Sequence, residues 1–155
     1  MKFIKLTQGK KTKVDDDDFD NLLKHKWYAA KRGYGFYAQR RIYKHKTEQI
    51  HRIILKVKKS EEVDHINGDT LDNRKKNLRI VNRSQNEWNR DKQKNNSTGY
   101  KGVTYVKRDK LFIARIRVYN KLIYLGGFKD KKRAAEAYNE GAKKYHREYA
   151  YLNKI

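Results

Sequence analysis

The rhythm of hydrophobic and polar positions changes several times along the chain. Phe3, Ile4 and Leu6 precede a Gly9-Lys10 turn, which predicts a short strand and turn within residues 1–14. The run DDDDFDNLLKHKWYA then reads as one helix, with acids in the first turn where the helix dipole favours them. Four adjacent aspartates, Asp15 to Asp18, point in different directions on a helix and cannot converge on one ion. They read as a helix start with a solvated acidic patch. Residues 34–46 predict a strand, entered through a turn that Gly33 and Gly35 permit, and QIHRIILKV predicts another strand or a short helix. Next, EEVDHINGDTLDNRKKNLRIV predicts a strand, a long polar loop and a second short strand. NRSQNEWNR opens a helix capped by Asn82 or Ser84.

Residues 92–98, KQKNNST, are polar and aperiodic, and they predict a linker. Beyond them YKGVTYV, LFIARIRVY and LIYLGGF form three strand-like runs with short polar turns between, the pattern of an antiparallel meander. A helix follows in KDKKRAAEAYNEGAKKYHREY. Its Ala134, Ala135, Tyr138, Ala142 and Tyr145 recur at helical spacing and make one small-and-aromatic face suited to packing on a sheet.

Charge narrows the partner. The 155 residues carry 40 Lys+Arg against 18 Asp+Glu, a formal charge of +22. Binding a polyanion would relieve that self-repulsion and release counterions. The basic residues are interleaved with Tyr, Ile, Leu and Val, so a folded nucleic-acid binder is expected rather than a basic tail. Cysteine is absent, which excludes disulfides and thiolate-bound zinc. Any metal must be held by oxygen or imidazole donors, which favours a hard cation such as magnesium. No apolar run is long enough to cross a bilayer, and MKFIKLTQGKKTK turns charged too early for a secretory signal. The expected place of work is the compartment of synthesis, a cytoplasm, or a nucleus.

The middle of the chain holds the candidate chemistry in Asp64, His65, Asn77 and Asn86. Phosphodiester hydrolysis needs an activated water, a Lewis acid near the phosphate and stabilisation of the leaving oxygen. Histidine titrates nearest neutrality and suits the base. A carboxylate and an amide oxygen suit a magnesium ion that keeps several waters. In a strand Asp64 and His65 point to opposite faces, so a twist at the strand end, allowed by Asn67-Gly68, is needed to bring them together.

The run VDHINGDTLDNRKKNLRIVNRSQNEWNR resembles the ββα-metal motif of HNH endonucleases of the phage and intron-encoded homing type. The likeness lies in its DH pair, NG turn, LDNR loop, NLR strand and SQN helix start. It implies Asp64 as a metal-binding acid, His65 as general base, Asn77 as the residue orienting the histidine ring, and Asn86 as the last metal ligand, where many relatives have histidine. That exchange implies reliance on magnesium, with manganese as a substitute. IHRIIL resembles a His-Arg segment preceding the motif. Arg52 there would contact a phosphate, or His51 would brace the hairpin.

From Gly99 to Asn153 the chain is similar to the DNA-binding domain of plant ethylene-response factors, the Apetala family, through YKGV, the F-x-A-x-I-R strand, LGGF, the AA-x-AY helix and the closing A-x-LN. On the middle strand Phe112, Ala114, Ile116 and Val118 alternate with Ile113, Arg115, Arg117 and Tyr119. One face is free to pack on the helix while Arg115 and Arg117, with Lys101 and Lys107, form a basic face for a major groove. The resemblance adds Thr104 and Tyr124 as DNA contacts. Lysine at 101 lacks arginine's bidentate fork, which implies looser base specificity.

The expected architecture is α+β, a ββα-metal nuclease fold followed by a three-stranded antiparallel sheet packed on one helix. Expected domains are a nuclease region 1–91 with its motif core at 50–91, a linker 92–98, and a DNA reader 99–155, whose deletion is expected to weaken and despecify binding without abolishing metal-dependent cleavage at high enzyme concentration. The expected activity is metal-dependent cutting of double-stranded DNA by a monomer that nicks. The alternatives are a non-catalytic DNA-binding regulator retaining the nuclease scaffold and an RNA-binding ribosomal-type protein.

Overall fold

Alternation at the N-terminus makes a hairpin: β1 (Lys2–Lys5) pairs antiparallel with β2 (Lys11–Val14), burying Ile4 and Val14. The computed structural model describes residues 1–33, 35–93 and 95–155. Helix α1 (Asp16–Leu23) begins on its acids as expected but ends at Leu23 rather than reaching Ala29. The Trp27 indole N–H donates to the Leu22 carbonyl at 2.7 Å, and the chain turns into β3 (Tyr28–Arg32). β3 pairs with β4 (Gly35–Tyr43), and β4 with β5 (Lys46–Gln49). Sheet pairing overrides helical patterning here because it satisfies the backbone and buries Ala29 against its cross-strand partner Ala38. Tyr34, at the start of the strand expected over 34–46, lies outside the described residues.

The segment read as strand or short helix is a helix, α2 (Ile50–Ile54). β6 (Glu62–His65) and β7 (Leu78–Val81) then form the antiparallel hairpin expected for the motif, with a loop of local turns between them. The first turn of the loop is closed by the Gly68 amide on the His65 carbonyl, and the Gly68 φ of +75° is the left-handed conformation the NG turn requires. Ile4, Leu6, Val14, Leu22, Trp27, Ile50 and Leu78 share one core. That core makes the first compact unit, Met1–Asn82.

The second compact unit is Arg83–Ile155 and starts at α3 (Arg83–Asn89). β8 (Val103–Val106), β9 (Leu111–Val118) and β10 (Lys121–Phe128) form the expected meander in the order β10-β9-β8. Helix α4 (Lys131–His146) is capped by the Asp130 carboxylate, which accepts the Lys132 and Arg133 amides. Its Ala134, Ala135, Tyr138 and Ala142 are buried, as their spacing predicts. Gly102 (φ +74°) admits the Tyr138 ring so closely that a Cβ would sit 2.1 Å from it. The architecture is α+β, with a sheet-on-helix C-terminal unit. Within the expected linker, Lys94 lies outside the described residues, and the Thr98 hydroxyl donates to the Val103 carbonyl at 3.0 Å.

Candidate active site and nucleic-acid interface

The catalytic candidate His65 ends β6 and is 5 % exposed. Its Nε2 lies 3.2 Å from Asn73 Oδ1, and Asn73 Nδ2 donates to Thr12 Oγ1 at 2.7 Å. The Thr12 hydroxyl in turn donates to the Leu71 carbonyl at 2.8 Å. A carbonyl can only accept, so the single Thr12 proton is committed there and Thr12 must accept from the Asn73 amide. The amide oxygen therefore faces His65 and calls for the proton on Nε2. The neutral ring keeps its lone pair on Nδ1. Burial pushes His65 below the usual imidazole value, against the Asn73 bond and the Asp64, Asp69 and Asp72 carboxylates. A neutral, oriented imidazole is the form a general base needs.

Asn73 and Thr12 were not singled out from the sequence. Asn73 stands in the quoted LDNR run, but nothing local distinguishes it from Asn77, and Thr12 comes from β2. The two are joined because β2 forms a parallel bridge between Lys13 and Asp72: the Lys13 amide donates to Leu71 O at 2.8 Å and the Asn73 amide to Lys13 O at 2.9 Å.

Asn77, expected to orient the ring, acts at one remove. Its Oδ1 accepts the Asn67 amide at 3.0 Å, and its Nδ2 donates to the Asp72 carbonyl at 2.8 Å. It thus closes the loop that carries Asn73. Arg74 donates to Asp72 at 2.7 Å and holds that carboxyl below the usual range. Asp15 accepts the Lys75 amide at 2.7 Å and Asp18 pairs with the Lys75 ammonium at 3.0 Å. Part of the aspartate run therefore anchors this loop.

The metal candidate Asp64 is 6 % exposed and faces Arg79, its cross-strand partner. Arg79 Nε and Nη2 both donate to Asp64 Oδ2, at 2.9 and 2.7 Å. Asp64 and His65 thus take different partners, as strand alternation demands. The other metal candidate, Asn86, is on α3 in the second unit. A carboxylate and an amide oxygen are hard donors that fit magnesium better than zinc. Among the described residues no group of three His, Asp or Glu gathers as a cage. Such a cation would complete its shell with water and phosphate oxygens, as magnesium commonly does.

His51 stands edge-on to His65, with ring centroids 5.1 Å apart, and Tyr37 packs against both rings. Desolvation holds the His51 pKa down at about 3, so its ring braces the site as a neutral group. Arg52 donates to the Glu61 carbonyl at 2.9 Å and the Lys58 carbonyl at 2.6 Å, tying the end of α2 to the approach to β6.

In the second unit, register places four of the expected DNA contacts on one sheet face. Arg115 pairs with Tyr124 and Ile113 with Thr104, and Arg117 shares their side of β9. Arg115, Arg117, Thr104 and Tyr124 are exposed, while Ala114 and Ile116 on the opposite side are buried. Lys107 is exposed in the β8–β9 turn. Lys101 is placed differently, its ammonium turned onto backbone carbonyls at the end of α3.

Residues 49–88, which contain the β6–β7 hairpin and most of α3, match the HNH endonuclease family. A viral protein of Acanthamoeba polyphaga mimivirus, described as an HNH endonuclease, is 30% identical over 162 residues, spanning 99% of this chain and 81% of the relative. The chain belongs to the HNH endonuclease family and is a nuclease. No solved structure matches it. No helix among the described residues is long and apolar enough to cross a membrane.

Proposed function

We propose that this nuclease hydrolyses duplex DNA with magnesium, cutting one strand per active site. In this reading Asp64 and Asn86 are the residues that would hold the ion, whose charge would offset that of the scissile phosphate. His65 takes the proton of the attacking water at Nδ1. Asn73 keeps Nε2 protonated, and Thr12 keeps Asn73 in the orientation that does so. Asn77 and Arg74 hold the loop that presents Asn73. The products would be a 5′ phosphate and a 3′ hydroxyl. The observation that carries the reading is the buried chain Thr12–Asn73–His65, with Thr12 and Asn73 both 0% exposed. Buried polar networks are costly unless fully satisfied, and this one delivers a single imidazole tautomer.

The C-terminal sheet is proposed to grip the target in the manner of the Apetala-type domains it resembles, through Thr104, Lys107, Arg115, Arg117 and Tyr124. Biological roles such as intron homing, or another form of genome mobility, are compatible with a nicking enzyme that carries its own reader. Supercoiled plasmid incubated with the protein and magnesium tests the proposal. Nicking that disappears in His65→Ala, with duplex binding retained, is the expected result. The alternative is a DNA-binding regulator on a nuclease scaffold, and one observation favours it: Arg79 already pairs with the Asp64 carboxylate. Binding with no cleavage in either magnesium or manganese would establish that alternative.

A further inference from the structure

Lys101 has an unusual position for a residue of a DNA-reading module. Its Nζ donates to the carbonyls of Glu87, Trp88 and Arg90 at 3.2, 2.7 and 2.5 Å, at the C-terminal end of α3. The last carbonyls of a helix have no intrahelical partner, and a cation there also complements the helix dipole. The Lys101 backbone is itself fixed: its amide donates to Asn153 Oδ1 at 2.7 Å, and Asn153 Nδ2 returns a bond to its carbonyl at 3.1 Å. The Tyr151 amide adds a bond to the Trp88 carbonyl at 3.2 Å. Trp88 stacks on His146 at 4.4 Å with planes 6° apart, and the His146 Nε2–H donates to the Arg117 carbonyl at 2.8 Å. Burial depresses the Lys101 pKa to about 8, against the opposing charges of Glu87 and Asp91.

These contacts join α3 to the β8–β10 sheet through its middle strand, to α4 and to the C-terminal segment. α3 also carries Asn86, next to the capped Glu87. We infer that Lys101 is a positioning residue for DNA cleavage, mounting the helix of the metal ligand Asn86 on the DNA-reading unit. The inference rests on the reading of Asn86 as a ligand. It sets the helix that carries Asn86 in the same compact unit as the DNA-reading sheet, whereas the boundary expected at residue 91 left that helix with the nuclease region. It also separates Lys101 from Arg115 and Arg117, because an ammonium spent on three carbonyls is not a phosphate contact.

The test uses the full chain as wild type, Lys101→Met, Lys101→Arg and Asn86→Ala. Manganese affinity is followed by the resonance of the free ion, duplex affinity over a salt series without divalent metal, and nicking at saturating DNA across a magnesium titration. Lys101→Met should keep the salt dependence of binding, while manganese affinity and saturated nicking each fall about 10-fold or more, the range for removing a partner that orients a ligand. Lys101→Arg should behave similarly, since a planar guanidinium cannot reproduce a point charge facing three carbonyls. This variant decides the matter if Lys101→Met does not fold. A salt slope reduced by about one in Lys101→Met, with manganese affinity and saturated nicking unchanged, would identify a phosphate contact and overturn the inference. Unchanged manganese affinity in Asn86→Ala would remove the ligand assignment, and the inference with it.

Discussion

The two surfaces proposed to meet DNA are built in opposite ways. Around His65 the polar groups are withdrawn from water: Thr12, Asp72 and Asn73 are 0% exposed and each is matched to a defined partner. On the β8–β10 sheet Arg115 and Arg117 face solvent, and behind them Ala114 and Ile116 meet α4. A buried donor or acceptor left without a partner costs about 1–3 kcal/mol, so the first surface has one stable arrangement before any DNA arrives. Exposed arginines keep their rotamers until binding orders them. Preorganisation therefore belongs to the chemistry and adaptability to the grip.

Substitutions should separate the two surfaces cleanly. The largest effect is expected from Asn73→Leu, which strands the His65 Nε2–H and removes the donor to the Thr12 oxygen. Nicking at saturating DNA should fall by about 100-fold, within the range for losing general-base catalysis, with duplex affinity unchanged. A variant that loses affinity but keeps its saturated rate would dissolve the distinction. Next comes the pair Arg115→Ala and Arg117→Ala, whose combined loss should flatten the logarithmic salt dependence of binding by about two while leaving the saturated rate intact. An unaltered slope would return both arginines to a merely solvated face.

Thr12→Val is a gentler probe of the buried network. It keeps the side-chain shape, frees the Asn73 amide to rotate and should lower nicking by about 10-fold, with a stability cost of about 1–2 kcal/mol in chemical denaturation. Wild-type activity in Thr12→Val would show that Asn73 holds its orientation unaided. The smallest effect concerns acid. The folded His51 pKa lies near 3, below its ordinary 6.5, so the unfolded chain takes up the proton first as pH falls. The His51 contribution to stability is intact above about pH 6.5 and declines below it, by up to about 1.4 kcal/mol per pH unit. His51→Phe should therefore lose less melting temperature than wild type between about pH 6.5 and pH 5, as scanning calorimetry would reveal. Parallel losses would place the acid sensitivity elsewhere.

Much of this was visible in the chain itself. The DH pair, the NG turn and the NLR strand mark a hairpin because each step admits few residue types: a left-handed φ at Gly68, alternation in β7 and an imidazole beside a carboxylate. The C-terminal meander and its helix were equally legible, since period-two and helical spacings describe how single elements meet one core. The α1 boundary was not. Residues after Leu23 continue a helical pattern, and only pairing with β4 makes Tyr28–Arg32 a strand.

Local pattern thus determined the α+β class and the sheet face that carries Arg115 and Arg117, while resemblance to the HNH motif marked the candidate catalytic segment. Tertiary structure decided which asparagine touches His65, because that choice depends on Thr12, 61 residues from Asn73 along the chain. It also decided that the Lys101 ammonium turns onto the end of α3, since the carbonyls it meets lie 11 to 14 residues earlier. The physical reason is common to both cases. Periodicity records which side of an element is apolar, whereas the partner of a polar atom is set by whatever distant backbone the fold brings within 3 Å or so of it.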